Sequence, residues 1–371
     1  MDNINILEEF MKIVSIDAFP RNERDVADYV INELRKLSYY VEEDDAGEKL
    51  GGNTGNIYAV KRGNTSKSLM ISAHLDRVEN GLGIRPRILD GKIVSSGDTI
   101  LAADDIAGVA AILYGIRKAE KELKDLPTIE LVFTVCEERG LLGAKEFDCS
   151  RITSKEAYVL DGTGDFGRII NQSANKALVQ VEFFGRAAHA GMNPEKGVNA
   201  IFAAFKCMHD LKEGRLDFDA TSNFGSIFGG ADNIGTVCDY VKLRAEARNL
   251  DLNNLLSYID YVDNHIKDRI GATGAEYKLS YTIDYKGFKI DEDHHSIRKL
   301  KKIIGQLGYT PSIEFDMAGF DANSFNEKGV LSIPLAMGYQ NPHSKDEYIK
   351  VDHLIAAGEL VYKLIGEYSL D

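Results

Sequence analysis

The chain has 371 residues, 44% of them hydrophobic and 27% charged, with 34 glycines, an ordinary globular composition that excludes disorder, collagen and coiled coil. Chains beyond roughly 250–300 residues outgrow a single hydrophobic core, so two domains, or one domain with a large insertion, are expected. A formal net charge of −14 repels phosphate backbones and anionic lipid, which argues against nucleic-acid and membrane partners.

The opening segment MDNINILEEFMKIVS is amphipathic and acidic rather than a basic leader with an apolar run, and nowhere do about 18 apolar residues stand together. A cytoplasmic protein is expected. Cys136, Cys149, Cys207 and Cys238 have no CxxC spacing, so neither disulfides nor a zinc knot is implied. Apolar residues at helical spacing predict helices over 4–16 and 24–37, the second with Val26, Tyr29, Val30, Leu34 and Leu37 on one face. Four short β-rich runs follow: NIYAVKR from Asn56, SLMISAH from Ser68, IELVFTV from Ile129 and AYVL from Ala157. Between the second and third of these runs lies a helix whose apolar face is Ile106, Val109, Leu113 and Ile116. Strands alternating with helices predict an α/β domain with a mostly parallel sheet flanked by helices.

Near Asn175 the pattern changes. KALVQVEFFG alternates like a strand with one wet face, and a helix (198–211), a strand (235–248), a helix (252–270) and a strand (277–285) follow. This βαβαβ-like block predicts an antiparallel α+β unit of ferredoxin-like type. From Ile290 the first pattern resumes with the helix SIRKLKKIIGQL, the strand LSIPLAMG and a closing helix over 351–365. The expected division is therefore an α/β domain, 1–175 and 288–371, interrupted by an inserted domain at 176–287.

Metal-ligand residue types gather at the ends of the α/β strands. SLMISAH delivers His74 and Asp76, IELVFTV delivers Glu137 and Glu138, AYVL delivers Asp161, and the loop after LSIPLAMG holds His343. Asp104 stands in AADDIAG, where a loop enters a helix. In an open parallel sheet the crevice lies beyond the carboxyl ends of the strands, so these side chains can converge. Two imidazoles with three carboxylates suit a pair of zinc, cobalt or manganese ions rather than calcium. Two metals ~3.5–4 Å apart need a bridging carboxylate, and Asp104 at its loop-to-helix junction can present both oxygens. On extended backbone, adjacent side chains leave on opposite sides, so one of Glu137 and Glu138 binds metal and the other serves as general base. Asp76, on the strand face of His74, is placed to accept the imidazole's other N–H. Each residue alone has a plain structural explanation as a helix cap or a surface charge; their coincidence at four strand ends of one sheet is what favours a site.

These motifs resemble those of the dinuclear-zinc exopeptidases and amidohydrolases, the family that includes peptidase T (a tripeptide aminopeptidase), carboxypeptidase G and aminoacylase, and the likeness covers nearly the whole chain. SAHLDRV resembles the first motif, LAADDIAGVAAIL the second, FTVCEERGLLGA the third, and VLDG and NPHSKDEY the last two. The resemblance implies two zinc ions held by His74, Asp104, Glu138, Asp161 and His343, with Glu137 as general base and Asp76 orienting His74. It also implies that the inserted domain is a lid that forms a homodimer. His189 in FFGRAAHAG then reaches the partner's site and stabilises the oxyanion, and Asn233, Arg248 and Gly319 contact substrate. Ile106 replaces the lysine that many relatives carry after the paired aspartates. DMAGFDANSF lacks the arginine of peptidase T's glycine-rich loop, although Gly319, Asp321 and Asn323 resemble the loop of shorter relatives. Hydrolysis of short peptides, in the manner of a tripeptide aminopeptidase, is the activity implied. An N-acyl amino acid deacylase or dipeptidase of the same family is an alternative, and an inactive metal-dependent peptide binder is one from another class.

Overall fold

The computed structural model of the protein describes residues 5–230 and 234–370. They form two compact units. The first takes the chain up to Gln172, Lys289–Phe315 and the chain from Phe320 onward; the second takes Ser173–Phe288 with Asp316–Gly319.

In the first unit, strands lie side by side in the order Tyr40–Glu43, Ile57–Lys61, Thr128–Thr134, Ser68–His74, Glu156–Gly162 and Leu331–Ala336. The first two pairings in that order are antiparallel; the rest are parallel. The parallel strands read as unbroken apolar runs because both faces are covered, and six of the seven residues of Ser68–His74 are buried. Helices Ala103–Glu122 and Val351–Ser369 pack on each other and onto the Ser68–His74 strand. Their approach is close at Gly115, where a Cβ would stand 2.4 Å from Cγ1 of Val361. That packing fixes the helix whose first turn carries Asp104. A small antiparallel sheet pairs Tyr339–Gln340 with Tyr348–Lys350, and the latter with Lys92–Ser95, so the loop bearing His343 is the tip of a hairpin. Among the described residues no helix is long and apolar enough to cross a membrane.

The second unit holds an antiparallel sheet in the order Gly214–Asp217, Ala220–Gly229, Tyr240–Asn249, Asn175–Phe184 and Glu276–Tyr285. Alternation puts Ala177, Val179, Val181 and Phe183 into a core shared with Ala203, Ala204 and Cys207 of helix Ala200–Met208 and with Leu255, Ile259, Val262 and Ile266 of helix Leu252–Ile270. With Ala220–Gly229 counted and the short edge strand Gly214–Asp217 left aside, the order of elements is βαββαβ, the ferredoxin-like arrangement. The sequence pattern gave βαβαβ because ATSNFGSIFG is rich in Ser, Asn and Gly, and a register shift between Asn223 and Ser226 breaks its alternation.

Candidate active site

His74 closes its strand with the side chain buried. Its Nε2 stands 3.1 Å from Oδ1 of Asp104 and 3.5 Å from Oδ1 of Asp161. Its Nδ1 lies 2.9 Å from the backbone oxygen of Asp76, whereas the Asp76 carboxylate is 3.5 Å away. The main-chain carbonyl of Asp76, rather than its carboxylate as read from the strand face, is thus the nearer partner that fixes the ring. The Asp76 carboxylate instead accepts the backbone N–H groups of Glu137 (2.9 Å) and Glu138 (3.1 Å).

Glu137 and Glu138 are not on extended backbone. The strand ends at Thr134, Cys136 turns into the left-handed region at φ 53°, and Glu137–Arg139 form a single 3₁₀ turn. Their divergence therefore comes from that turn and not from strand alternation. Glu138 Oε1 meets Nε2 of His343 at 2.9 Å, and the same Nε2 is 3.3 Å from Oδ2 of Asp104. Asp104 and Asp105, joined by a cis peptide bond, occupy non-helical backbone at the start of helix Ala103–Glu122. Asp161 is buried on the strand Glu156–Gly162, with its carbonyl receiving the hydroxyl of Tyr339 at 2.9 Å.

Among the described residues, three overlapping sets bring potential ligand atoms within 4.8 Å of one another: His74, Asp104 and Asp161; Asp104, Glu138 and His343; His74, Glu137 and Glu138. Asp104 belongs to two of them, with Oδ1 toward His74 and Oδ2 toward His343. The electrostatics of this crowd call for cations. Burial raises the carboxyls of Asp161, Asp105 and Glu137 well above the usual carboxylate range, and neighbouring carboxylates push in the same direction. Hydrogen bonds to Asp104 and Glu138 raise His343 to about 10, and carboxylate neighbours raise His74 although burial opposes them. Asp104 is held low, against its burial, by hydrogen bonds from both imidazoles. A pocket with more carboxylates than its two imidazoles can balance fits divalent metal. Beside Glu138 a cavity of about 590 Å³ is lined by Phe19, Pro20, Val78, Glu79 and Arg139.

Of the other expected site residues, His189, Arg248 and Gly319 lie in the second unit. His189 is exposed, with Nδ1 accepting the N–H groups of Gly191 and Met192. Arg248 has its guanidinium engaged by both oxygens of Glu246 (3.0 and 3.3 Å) and by the Met317 carbonyl (2.8 Å), so the fork expected to face a substrate carboxylate already has partners. Gly319 packs against Tyr285, whose ring would lie 2.4 Å from an added Cβ. Asn233 lies outside the described residues. The strand-end pattern did not single out Asp105 or Glu347 as parts of the site. The Asp105 carboxylate accepts the N–H of His74 at 3.1 Å, and the Glu347 carboxylate accepts that of Asp104, also at 3.1 Å. The signal for Glu347 was its place four residues beyond His343, within NPHSKDEY.

A cluster of two histidines, His74 buried and His343 exposed, with several carboxylates at the carboxyl ends of a mostly parallel sheet defines a metal-dependent hydrolase site. Residues 70–367 match the family model "Peptidase family M20/M25/M40", and the chain belongs to this family of peptidases. It is 34% identical to aminopeptidase PepT from Bacillus cereus ATCC 10987, with a TM-score of 0.89 and 99% of each chain covered. It is 27% identical to a tripeptidase from Staphylococcus aureus subsp. aureus Mu50, with a TM-score of 0.93 over 100% of each chain. It is also 32% identical over 363 residues, 98% of both chains, to the uncharacterized protein YqjE of Bacillus subtilis strain 168. The protein is a metallo-exopeptidase, a hydrolase of peptide bonds.

Proposed function

We propose that the protein removes the amino-terminal residue from short peptides, tripeptides foremost, using two zinc ions, with cobalt or manganese as substitutes. The observation that carries this reading is the double use of Asp104, whose two oxygens face two different histidine-containing groups. His74 and Asp161 would hold one ion, His343 and Glu138 the other, and Asp104 both. When bound, the ions supply Lewis-acid polarisation of the scissile carbonyl and of the attacking water. The chain supplies the proton traffic: a carboxylate oxygen of Glu137 takes the water's proton and returns it to the leaving nitrogen. Asp76 holds the turn that aims Glu137, through the Glu137 and Glu138 N–H groups. Arg248, with Glu246, fixes the Met317 carbonyl and so the short segment leading to Gly319, which with Asn233 would contact the peptide. Four free cysteines fit the reducing cytoplasm.

The test is hydrolysis of di-, tri- and tetrapeptides beside N-acetyl amino acids, before and after chelation. Tripeptides with a free amino end should be cleaved fastest, with activity lost on chelation and restored by zinc, cobalt or manganese. Cleavage confined to N-acylated substrates would overturn the aminopeptidase reading in favour of a deacylase.

The second unit is the proposed dimerisation element. Helix Ala200–Met208 buries Ala200, Ala203, Ala204 and Cys207, while Phe202 and Phe205, one turn apart on its other side, are 65% and 67% exposed. Large apolar side chains left in water on one face mark a contact surface, and a second copy would cover them. In the dimer, His189 of the partner subunit would stabilise the oxyanion. The double variant Phe202→Glu/Phe205→Glu should sediment as a monomer with unchanged circular dichroism and reduced peptide turnover. A variant that stays dimeric would remove this helix from the interface.

A further inference from the structure

Glu347 follows His343 by four residues, at the base of the hairpin that joins Tyr339–Gln340 to Tyr348–Lys350. The hairpin tip is closed on itself: the Ser344 hydroxyl donates to the Asn341 carbonyl at 2.8 Å and the Glu347 N–H to the Ser344 carbonyl at 3.2 Å. The Glu347 side chain leaves this tip and is buried, 1% exposed. Its Oε2 accepts the N–H groups of Leu101 (2.9 Å) and Ala102 (2.8 Å), and its Oε1 accepts that of Asp104 (3.1 Å). Ala102 stands in the left-handed region at φ 56°. Such a turn of the backbone directs N–H groups into a concave anion site. Here the anion is a side chain of the same protein.

The same device recurs around the cluster. Asp105 accepts the N–H of His74, and Asp76 those of Glu137 and Glu138. The segments that carry His74, Asp104 and the glutamate pair are each tied, through a main-chain N–H, to a buried carboxylate. Each of these carboxylates joins two ligand-bearing segments, and Glu347 is the one that ties in the His343 hairpin, gripping the Asp104 segment from it.

We infer that Glu347 is a positioning residue that sets Asp104 and locks the His343 hairpin to it, so that the two side chains can share one cation. The imidazole of His343 is 49% exposed and has little packing to hold it, so its place beside Asp104 and Glu138 follows from where the hairpin is anchored. The inference rests on the metal reading given above.

Cobalt alone is the probe, titrated into the metal-free full-length protein and read by calorimetry and by the visible absorption of the bound ion. Glu347→Gln keeps the side chain's shape and one acceptor oxygen but turns an NH₂ group toward one side of the N–H set. Glu347→Asp keeps the charge but is one methylene short of the three donors. Both should weaken cobalt binding roughly 10–100-fold, the range found when groups that orient metal ligands are lost. Both should shift the visible bands and lower kcat on a tripeptide with KM little changed. If Glu347→Asp behaves as wild type while Glu347→Gln does not, only charge matters and the positioning role is overturned. Equal affinity and an unchanged spectrum in both variants overturn it as well. Failure of both variants to fold without metal would assign Glu347 to folding and reject the proposal. Wild-type protein that takes up no cobalt would overturn the metal reading and this inference together, whereas cobalt bound alike by wild type and variants overturns this inference alone.

Discussion

Glu137→Gln is expected to lower kcat by roughly 10²–10⁴-fold, the contribution of a positioned general base, while metal content stays at the wild-type level. The amide matches the carboxylate in shape and differs only in having no lone pair basic enough to take a proton from water. Metal content survives because, among the described residues, Glu137 sits in one potential ligand set, with His74 and Glu138, whereas the sets built on Asp104 do without it. Glu138 is the opposite case: its Oε1 faces His343 at 2.9 Å, and it shares a set with Asp104. Glu138→Gln should therefore weaken metal binding as well as turnover. Measuring kcat and metal stoichiometry on both variants decides the matter. If Glu137→Gln is the one that sheds metal, the two roles are exchanged.

What the sequence made legible here was the part of the fold governed by periodicity. SLMISAH is the strand Ser68–His74 to the residue, because a parallel strand covered on both faces must be apolar almost throughout. The helix Leu252–Ile270 also carries its bounds in its pattern: Asp251 caps its start and apolar residues recur at helical spacing up to Ile270. The 3₁₀ turn at Glu137 was not legible, because it depends on Cys136 and Leu141 adopting positive φ. Neither residue type favours that conformation, and only tertiary contacts select it.

The candidate ligands were legible as strand-end chemistry, but the carboxylates that hold their backbones were not. Glu347 and the Leu101–Asp104 segment are more than 240 residues apart in the chain. Its place four residues beyond His343 was the one local mark of that acid, and it says nothing of the backbone that the side chain grips. The same holds for Arg77, which is fully buried with Nη1 donating to the Val14 carbonyl at 2.9 Å, and on which the charges of Asp17, Glu347 and Asp76 act. A buried arginine among carboxylates reads in sequence as an ordinary charged residue following a strand. Arg248 shows another gap: its type suits a substrate carboxylate, but periodicity does not reveal that Glu246, two residues away on the same strand face, already engages it.

Asp104→Asn should abolish the stabilisation that metal confers. Metal present at 100 times its Kd stabilises a protein that binds it only when folded by about 2.7 kcal/mol. Because Asp104 belongs to the set with His74 and to the set with His343, its loss should leave the melting temperature nearly insensitive to added zinc, and turnover should fall with it. The metal-free proteins provide the control, because two neighbouring carboxylates contribute with opposite signs. Asp104 is depressed below its unfolded value by hydrogen bonds from His343 and His74, which outweigh burial. Its charge therefore stabilises the metal-free fold above the unfolded carboxylate range, and that stability is lost as pH falls through the folded value. Asp161 is raised, by burial first and by Asp104 and Asp321 in addition, so at neutral pH its charge costs stability. At pH 7 without metal, Asp104→Asn should melt below wild type and Asp161→Asn above it, and neither should regain the full wild-type increase when zinc is added. If metal-free Asp161→Asn melts lower than Asp104→Asn, the charge balance drawn for the pocket is wrong. If zinc raises the melting temperature of Asp104→Asn as much as that of wild type, Asp104 is not the shared ligand.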